Sequence, residues 1–190
     1  MKIGLYFGSF NPIHIGHLII AGFLADNSYI EQVWFVVSPQ NPLKKAAGLL
    51  NEYHRLYLTQ IATESNVKFR VTDIEFKLPR PSYTIDTLTY LNDKYPQHDF
   101  VIIIGSDSLT NIDRWKNSAF LLKNFSFYVY LRPGFEVTEP ARDNIRLFKA
   151  PLLQISSTYI RNAIQTGKSI QYLVPDNVLK EIERNGYYKK

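Results

Sequence analysis

The apolar positions of this chain fall into short continuous runs separated by longer segments of mixed polarity. Residues 2–8 (KIGLYFG) and 32–38 (QVWFVVS) form the first two runs. "KFRVTD" (68–73), "FVIIIGSD" (100–107) and "FSFYVYLRPG" (125–134) follow, with "IRLFKA" (145–150) as a sixth candidate. Near-continuous apolar runs of this length are the pattern of strands buried on both faces of a parallel sheet. The segments between them have helical length and periodicity, at 14–26, 52–63, 84–94 and 117–124. This alternation predicts an open α/β sheet with right-handed crossovers. From residue 151 the pattern changes. "SSTYIRNAIQTGKSI" has Ser156 and Ser157 as cap candidates and Gly167 as a stop, and "VPDNVLKEIERNGYY" runs from Pro175 to Gly186. Both read as short closing helices.

Composition narrows this picture. The 190 residues are 45% hydrophobic and show no repeat, linker or low-complexity tract, so one domain over 1–190 is expected: a core at 1–150 and C-terminal helices at 151–190. No apolar run approaches the ~20 residues of a membrane-spanning helix, and the N-terminus opens on a strand pattern rather than a signal peptide. The chain has no cysteine, which removes disulfides and thiolate chemistry. The expected location is the cytoplasm. A net charge of +5 suits an anionic ligand, while the lysines and arginines form no stripe of the kind nucleic acid requires.

Ligands of open α/β sheets gather beyond the carboxyl ends of the strands, so the residues after each run are the ones to read for chemistry. After the first run comes "GSFNPIHIGH". Gly8 and Ser9 leave the strand, Asn11-Pro12 makes a turn, and His14 and His17 share a face at the mouth of a helix. Helix-terminal N–H groups favour an anion there, and two imidazoles add donors for phosphate oxygens. A zinc pair would need further ligands, and His54 and His98 have no metal-like spacing to this pair. Packing of one histidine and capping by the other is the plain alternative. After the second run, "SPQNPLKK" carries Lys44 and Lys45 on a proline-stiffened loop, either as phosphate ligands or as solvated charges.

"IGSDSLTNIDRW" follows the fourth run. Gly105 allows close backbone approach, Asp107 is either a ribose or base acceptor or a helix cap, and Trp115 either stacks on a planar ring or packs in the core. "ISSTYIR" places Ser156, Ser157 and Thr158 at a helix start with Arg161 about one turn in, a second phosphate-type site or a well-capped helix. In "PSYTIDTL", Ser82 or Thr84 is a cap candidate, and the helix N-terminus there suits a carboxylate.

Taken in order, "GSFNPIHIGH", "SPQNPLK", "PSYTIDTL", "GSDSLTNIDRW", "LRPG" and "ISSTYIR" resemble the HxGH nucleotidyltransferase superfamily over nearly the whole chain. Within it, the sequence is most similar to bacterial nicotinate-mononucleotide adenylyltransferases. The resemblance implies a Rossmann-like, open, mostly parallel sheet with helices on both faces, and a small C-terminal helical segment completing the ATP site. It also implies transfer of the adenylyl group of ATP to nicotinate mononucleotide in NAD biosynthesis, assisted by Mg²⁺ held mainly by the ATP phosphates. His14, His17, Lys44 and Arg161 would then be catalytic, with His17 the main transition-state contact. ATP would meet Gly8, Ser9, Phe10, His14, His17, Gly105, Asp107, Arg132, Ser156, Ser157, Thr158 and Arg161. The mononucleotide would meet Ser9, Asn11, Lys44, Tyr83, Thr84 and Trp115. Many members of the family carry Asp where this chain has Asn11, and a histidine where it has Leu43. The expected partners are these small molecules, with neither nucleic acid nor membrane; the oligomeric state stays open, a homodimer being one option. Preference for the amide mononucleotide, or use of both, is the nearest rival. A nucleotide-binding regulator without turnover is the rival from another class.

Overall fold

The computed structural model describes residues 1–40, 48–135, 137, 142–151 and 153–189. Six strands, β1 (Lys2–Gly8), β2 (Gln32–Val37), β3 (Phe69–Thr72), β4 (Asp99–Gly105), β5 (Ser126–Tyr130) and β6 (Ile145–Phe148), form one sheet in the order β3-β2-β1-β4-β5-β6. Every pairing in it is parallel, with Leu5 opposite Trp34 on one side and Ile102 on the other. The helices are α1 (Ile15–Asn27), α2 (Glu52–Thr63), α3 (Thr84–Lys94), α4 (Ser106–Leu109), α5 (Ser118–Asn124), α6 (Ser157–Gln165) and α7 (Asp176–Asn185).

The apolar runs are continuous because both faces of the sheet are covered. Successive side chains of a strand point to opposite faces, and the two buried layers divide accordingly. Val33, Phe35, Val101, Ile103 and Tyr128 join one layer with Leu24 of α1, Ile160 of α6 and Ile182 of α7. Trp34, Val36, Ile102 and Phe127 join the other with Leu88 of α3 and Leu121 of α5. The C-terminal helices therefore share a core with the sheet. A Cβ at Gly4 would lie 2.6 Å from the terminal methyl of Ile103 and 2.7 Å from that of Ile30, so both isoleucines would have to repack.

Most predicted helix bounds hold within a residue or two. α1 begins one residue later than expected, with His14 as its N-cap rather than its first turn. Asn117 lies outside α5 as a left-handed N-cap, φ 55°. The chain runs outward from β1 to β2 and β3, then returns to place β4 on the other side of β1. This reversal opens a crevice above the carboxyl ends of β1 and β4, where doubly wound sheets bind ligands.

Candidate active site

A cleft of about 760 Å³ occupies this crevice. It gathers Gly8, Ser9, Phe10, Asn11, His14 and His17 from the end of β1 and the start of α1. Gly105, Asp107 and Trp115 come from the β4 end, Tyr83 and Thr84 from the start of α3, Arg132 from beyond β5, and Ser156, Ser157, Thr158 and Arg161 from α6. Lys44, Lys45 and Leu43 lie outside the described residues.

The two histidines are held in one arrangement. Their rings stack at 3.6 Å between centroids. The backbone N–H of His14 donates to His17 Nδ1 at 3.2 Å. With Nδ1 occupied as an acceptor, a neutral His17 carries its proton on Nε2. Beneath them, Phe10 meets His17 edge-on at 5.2 Å and Tyr6 does so at 6.0 Å. Phe10 adopts φ 43°, a strained conformation for a bulky residue. His14 is buried, and burial, helped by the Arg132 charge, pushes its pKa down to about 4. Near neutral pH His14 is therefore an uncharged ring.

The turn before α1 is pinned from two sides. Asn11 spends its amide on backbone: Nδ2 donates to the Gly48 carbonyl at 2.9 Å, and Oδ1 accepts from the Leu50 N–H at 3.1 Å. From α6, Ser157 Oγ donates to the Pro12 carbonyl at 2.9 Å and Arg161 donates to the Asn11 carbonyl at 2.8 Å. Ser156 caps α6 by accepting from the Tyr159 N–H at 3.1 Å. At the β4 end, Arg132 lies 3.4 Å from Asp107 Oδ1 and donates to the Tyr130 hydroxyl at 3.0 Å. A side chain on Gly105 would collide with Asp107 and crowd Arg132 and Tyr130, which explains the glycine.

At the opposite end of the cleft, α3 starts from Tyr83 with no side-chain cap. The expectation that Ser82 or Thr84 caps it is corrected: Ser82 Oγ donates instead to Glu75 at 2.7 Å. An uncapped helix start keeps its leading N–H groups for an anion. Lys116 brings a cation to the same corner, 4.8 Å above the Tyr83 ring and 2.9 Å from Asp86.

Two buried charges escaped the sequence reading. Arg55 has no exposed surface and donates to four carbonyl contacts: Leu50 at 2.8 Å, Ser9 at 2.6 Å, Ser38 at 2.8 Å and Pro39 at 2.9 Å. It fastens the ends of β1 and β2 to the start of α2. Glu75, on the turn after β3, lines the cleft wall. The one available signal for Arg55 was its helical spacing to Leu58 and Thr59, which places it on the buried face of α2.

A crevice at the switch point of a doubly wound sheet, with an imidazole pair over a helix mouth, defines a nucleotide-handling α/β domain. In agreement, the cytidylyltransferase-like family model matches residues 5–163. A relative from Cytophaga hutchinsonii, named "Probable nicotinate-nucleotide adenylyltransferase", is 53% identical over 99% of this chain and 98% of its own length. A relative of the same name from Flavobacterium psychrophilum is 50% identical over the full length of both. A solved structure of the Plasmodium falciparum nicotinic acid mononucleotide adenylyltransferase, complexed with NaAD, superposes with a TM-score of 0.85 at 22% identity. The match covers 98% of this chain and 97% of that one, which establishes the shared fold. The chain belongs to the nicotinate-nucleotide adenylyltransferase family.

Proposed function

We propose that the protein transfers the adenylyl group of ATP to nicotinate mononucleotide, forming nicotinate adenine dinucleotide and pyrophosphate in NAD biosynthesis. The observation that carries this reading is a single cleft with an anion-ready feature at each end. The His14/His17 pair lies beside α6 at one end, and the uncapped start of α3 lies at the other. A phosphate-bearing acceptor with a carboxylate on its ring fits that layout. An amide gains less from helix-terminal N–H donors.

The mononucleotide phosphate oxygen attacks the α-phosphorus of ATP, and the bond to the departing pyrophosphate breaks. Such transfers depend on positioning and charge stabilisation more than on covalent work by the protein. His17 donates from Nε2 to the phosphate oxygens on which charge builds. His14, uncharged, packs against it and supplies the N–H that fixes its tautomer. Ser157, Thr158 and Arg161 contact the ATP phosphates from α6, so the C-terminal helices complete the ATP site. Gly105, Asp107 and Arg132 face the adenosine. Tyr83, Thr84 and Trp115 enclose the pyridine ring; Lys44, outside the described residues, keeps the phosphate-binding role that the family resemblance implies.

Among the described residues no group of three or more His, Asp or Glu is spaced to hold a metal ion. In the proposed reading Mg²⁺ arrives on the ATP triphosphate. When bound, the ion neutralises phosphate charge. No helix among the described residues is long and apolar enough to cross a membrane, and we place the enzyme in the cytoplasm. Chromatography of a reaction with ATP and nicotinate mononucleotide tests the reading. Dinucleotide and pyrophosphate should form in equal amounts; ATP loss without dinucleotide would contradict it.

A further inference from the structure

Glu75 is 2% exposed, lines the cleft, and takes part in none of the ion pairs among the described residues. A buried carboxyl without a cation is costly unless hydrogen bonds satisfy it. Here hydroxyls do so: Ser82 Oγ donates to Oε2 at 2.7 Å, and Thr87 Oγ1 lies 3.0 Å from Oε1. Burial nevertheless pushes its pKa above the usual carboxylate value.

Both partners belong to the start of α3: Ser82 precedes the helix, and Thr87 lies in its first turns, with its hydroxyl also 3.3 Å from the Tyr83 carbonyl. Glu75 therefore holds Ser82, the residue before the N-cap Tyr83, and anchors Thr87 one turn below Tyr83. The consequence is an α3 N-terminus that is fixed in position and still lacks a side-chain cap. Simple core filling would be served as well by an apolar residue at this site, at lower cost.

We propose that Glu75 is the positioning residue of the acceptor end of the cleft: by holding Ser82 and Thr87, it sets the α3 N-terminus that receives the carboxylate-bearing mononucleotide, while leaving the ATP end unaffected. This rests on the acceptor assignment above. Glutamine at this position keeps the length and an acceptor oxygen for Ser82, and its NH₂ can donate to Thr87.

Direct binding titrations of nicotinate mononucleotide and, separately, of ATP test the inference without requiring turnover. Glu75→Ala should weaken mononucleotide binding by about tenfold or more, leave ATP binding within about twofold, and be largely rescued by Glu75→Gln. Equal loss for both ligands, unchanged mononucleotide binding, or no rescue by glutamine would overturn it. If Glu75→Ala does not fold, the Ser82→Ala/Thr87→Val variant takes its place, with the same split expected and its absence decisive against the idea. Wild-type protein that binds the mononucleotide yet forms no dinucleotide would defeat the proposed reaction alone. Wild-type protein that binds no mononucleotide would overturn both.

Discussion

The His14/His17 stack divides two tasks between two rings, and each yields a prediction. His17 presents its Nε2 proton because the His14 amide occupies Nδ1. Removing one preorganised donor to a developing charge typically costs about 10²–10³ in turnover. His17→Ala should therefore lower kcat by that order while the melting temperature shifts by only a few degrees. A folded variant with full turnover would remove His17 from the reaction. His14 bears instead on acid stability. Its folded pKa of about 4 lies below the unfolded value of 6.5. Between those values the unfolded chain binds more protons, so stability is complete above about pH 6.5 and is lost as pH falls toward 4. The shift corresponds to a loss on the order of 3 kcal/mol by pH 4. Urea midpoints from pH 7 to 4.5 should fall less in His14→Asn than in the wild type; parallel curves would show that His14 is not the titrating group.

At the scale of elements, the cleft depends on how strand ends are tied to helix starts. Arg55 spans the ends of β1 and β2 and the start of α2 through Ser9, Ser38, Pro39 and Leu50. Each buried carbonyl left without its donor costs about 1–3 kcal/mol, partly relieved where water enters. Arg55→Met should lower unfolding free energy by roughly 3 kcal/mol or more, read from urea unfolding. A loss near zero would mean that the carbonyls find other donors. The elements themselves were legible in the sequence. Runs such as "FVIIIG" are apolar at every position because β4 is covered on both faces, and Gly186 takes φ 63° where α7 stops. Gly8 and Pro12 after β1 and Gly105 at the end of β4 pointed to the crevice for the same reason: tight turns and close approach demand particular residue types. Arg55 and Glu75 were not legible as anchors. In "EYHRL" and "DIEFK" they look like ordinary solvated charges, since their partners lie up to 46 residues away in sequence. The missing cap on α3 was not legible because the helix starts from Tyr83, one residue after Ser82, whose hydroxyl donates to Glu75 instead.

The cleft draws on both faces of the sheet, α1 and α6 packing in one core layer and α3 in the other. β1 delivers the histidine turn, β4 delivers Gly105 and Asp107, and α6 returns from the far end of the chain to grip the Asn11–Pro12 carbonyls. Substrate assembly is thus shared between the α/β core and the C-terminal helices. In the proposed reading, the acceptor end, built on the start of α3, carries the choice between acid and amide. The most direct test of the account is the kcat/KM for pyrophosphate release from ATP, with nicotinate mononucleotide and nicotinamide mononucleotide compared as acceptors under the same conditions. The account predicts a clearly higher value for the acid form and no release without an acceptor. A higher value for the amide form, or no release with either, would contradict it.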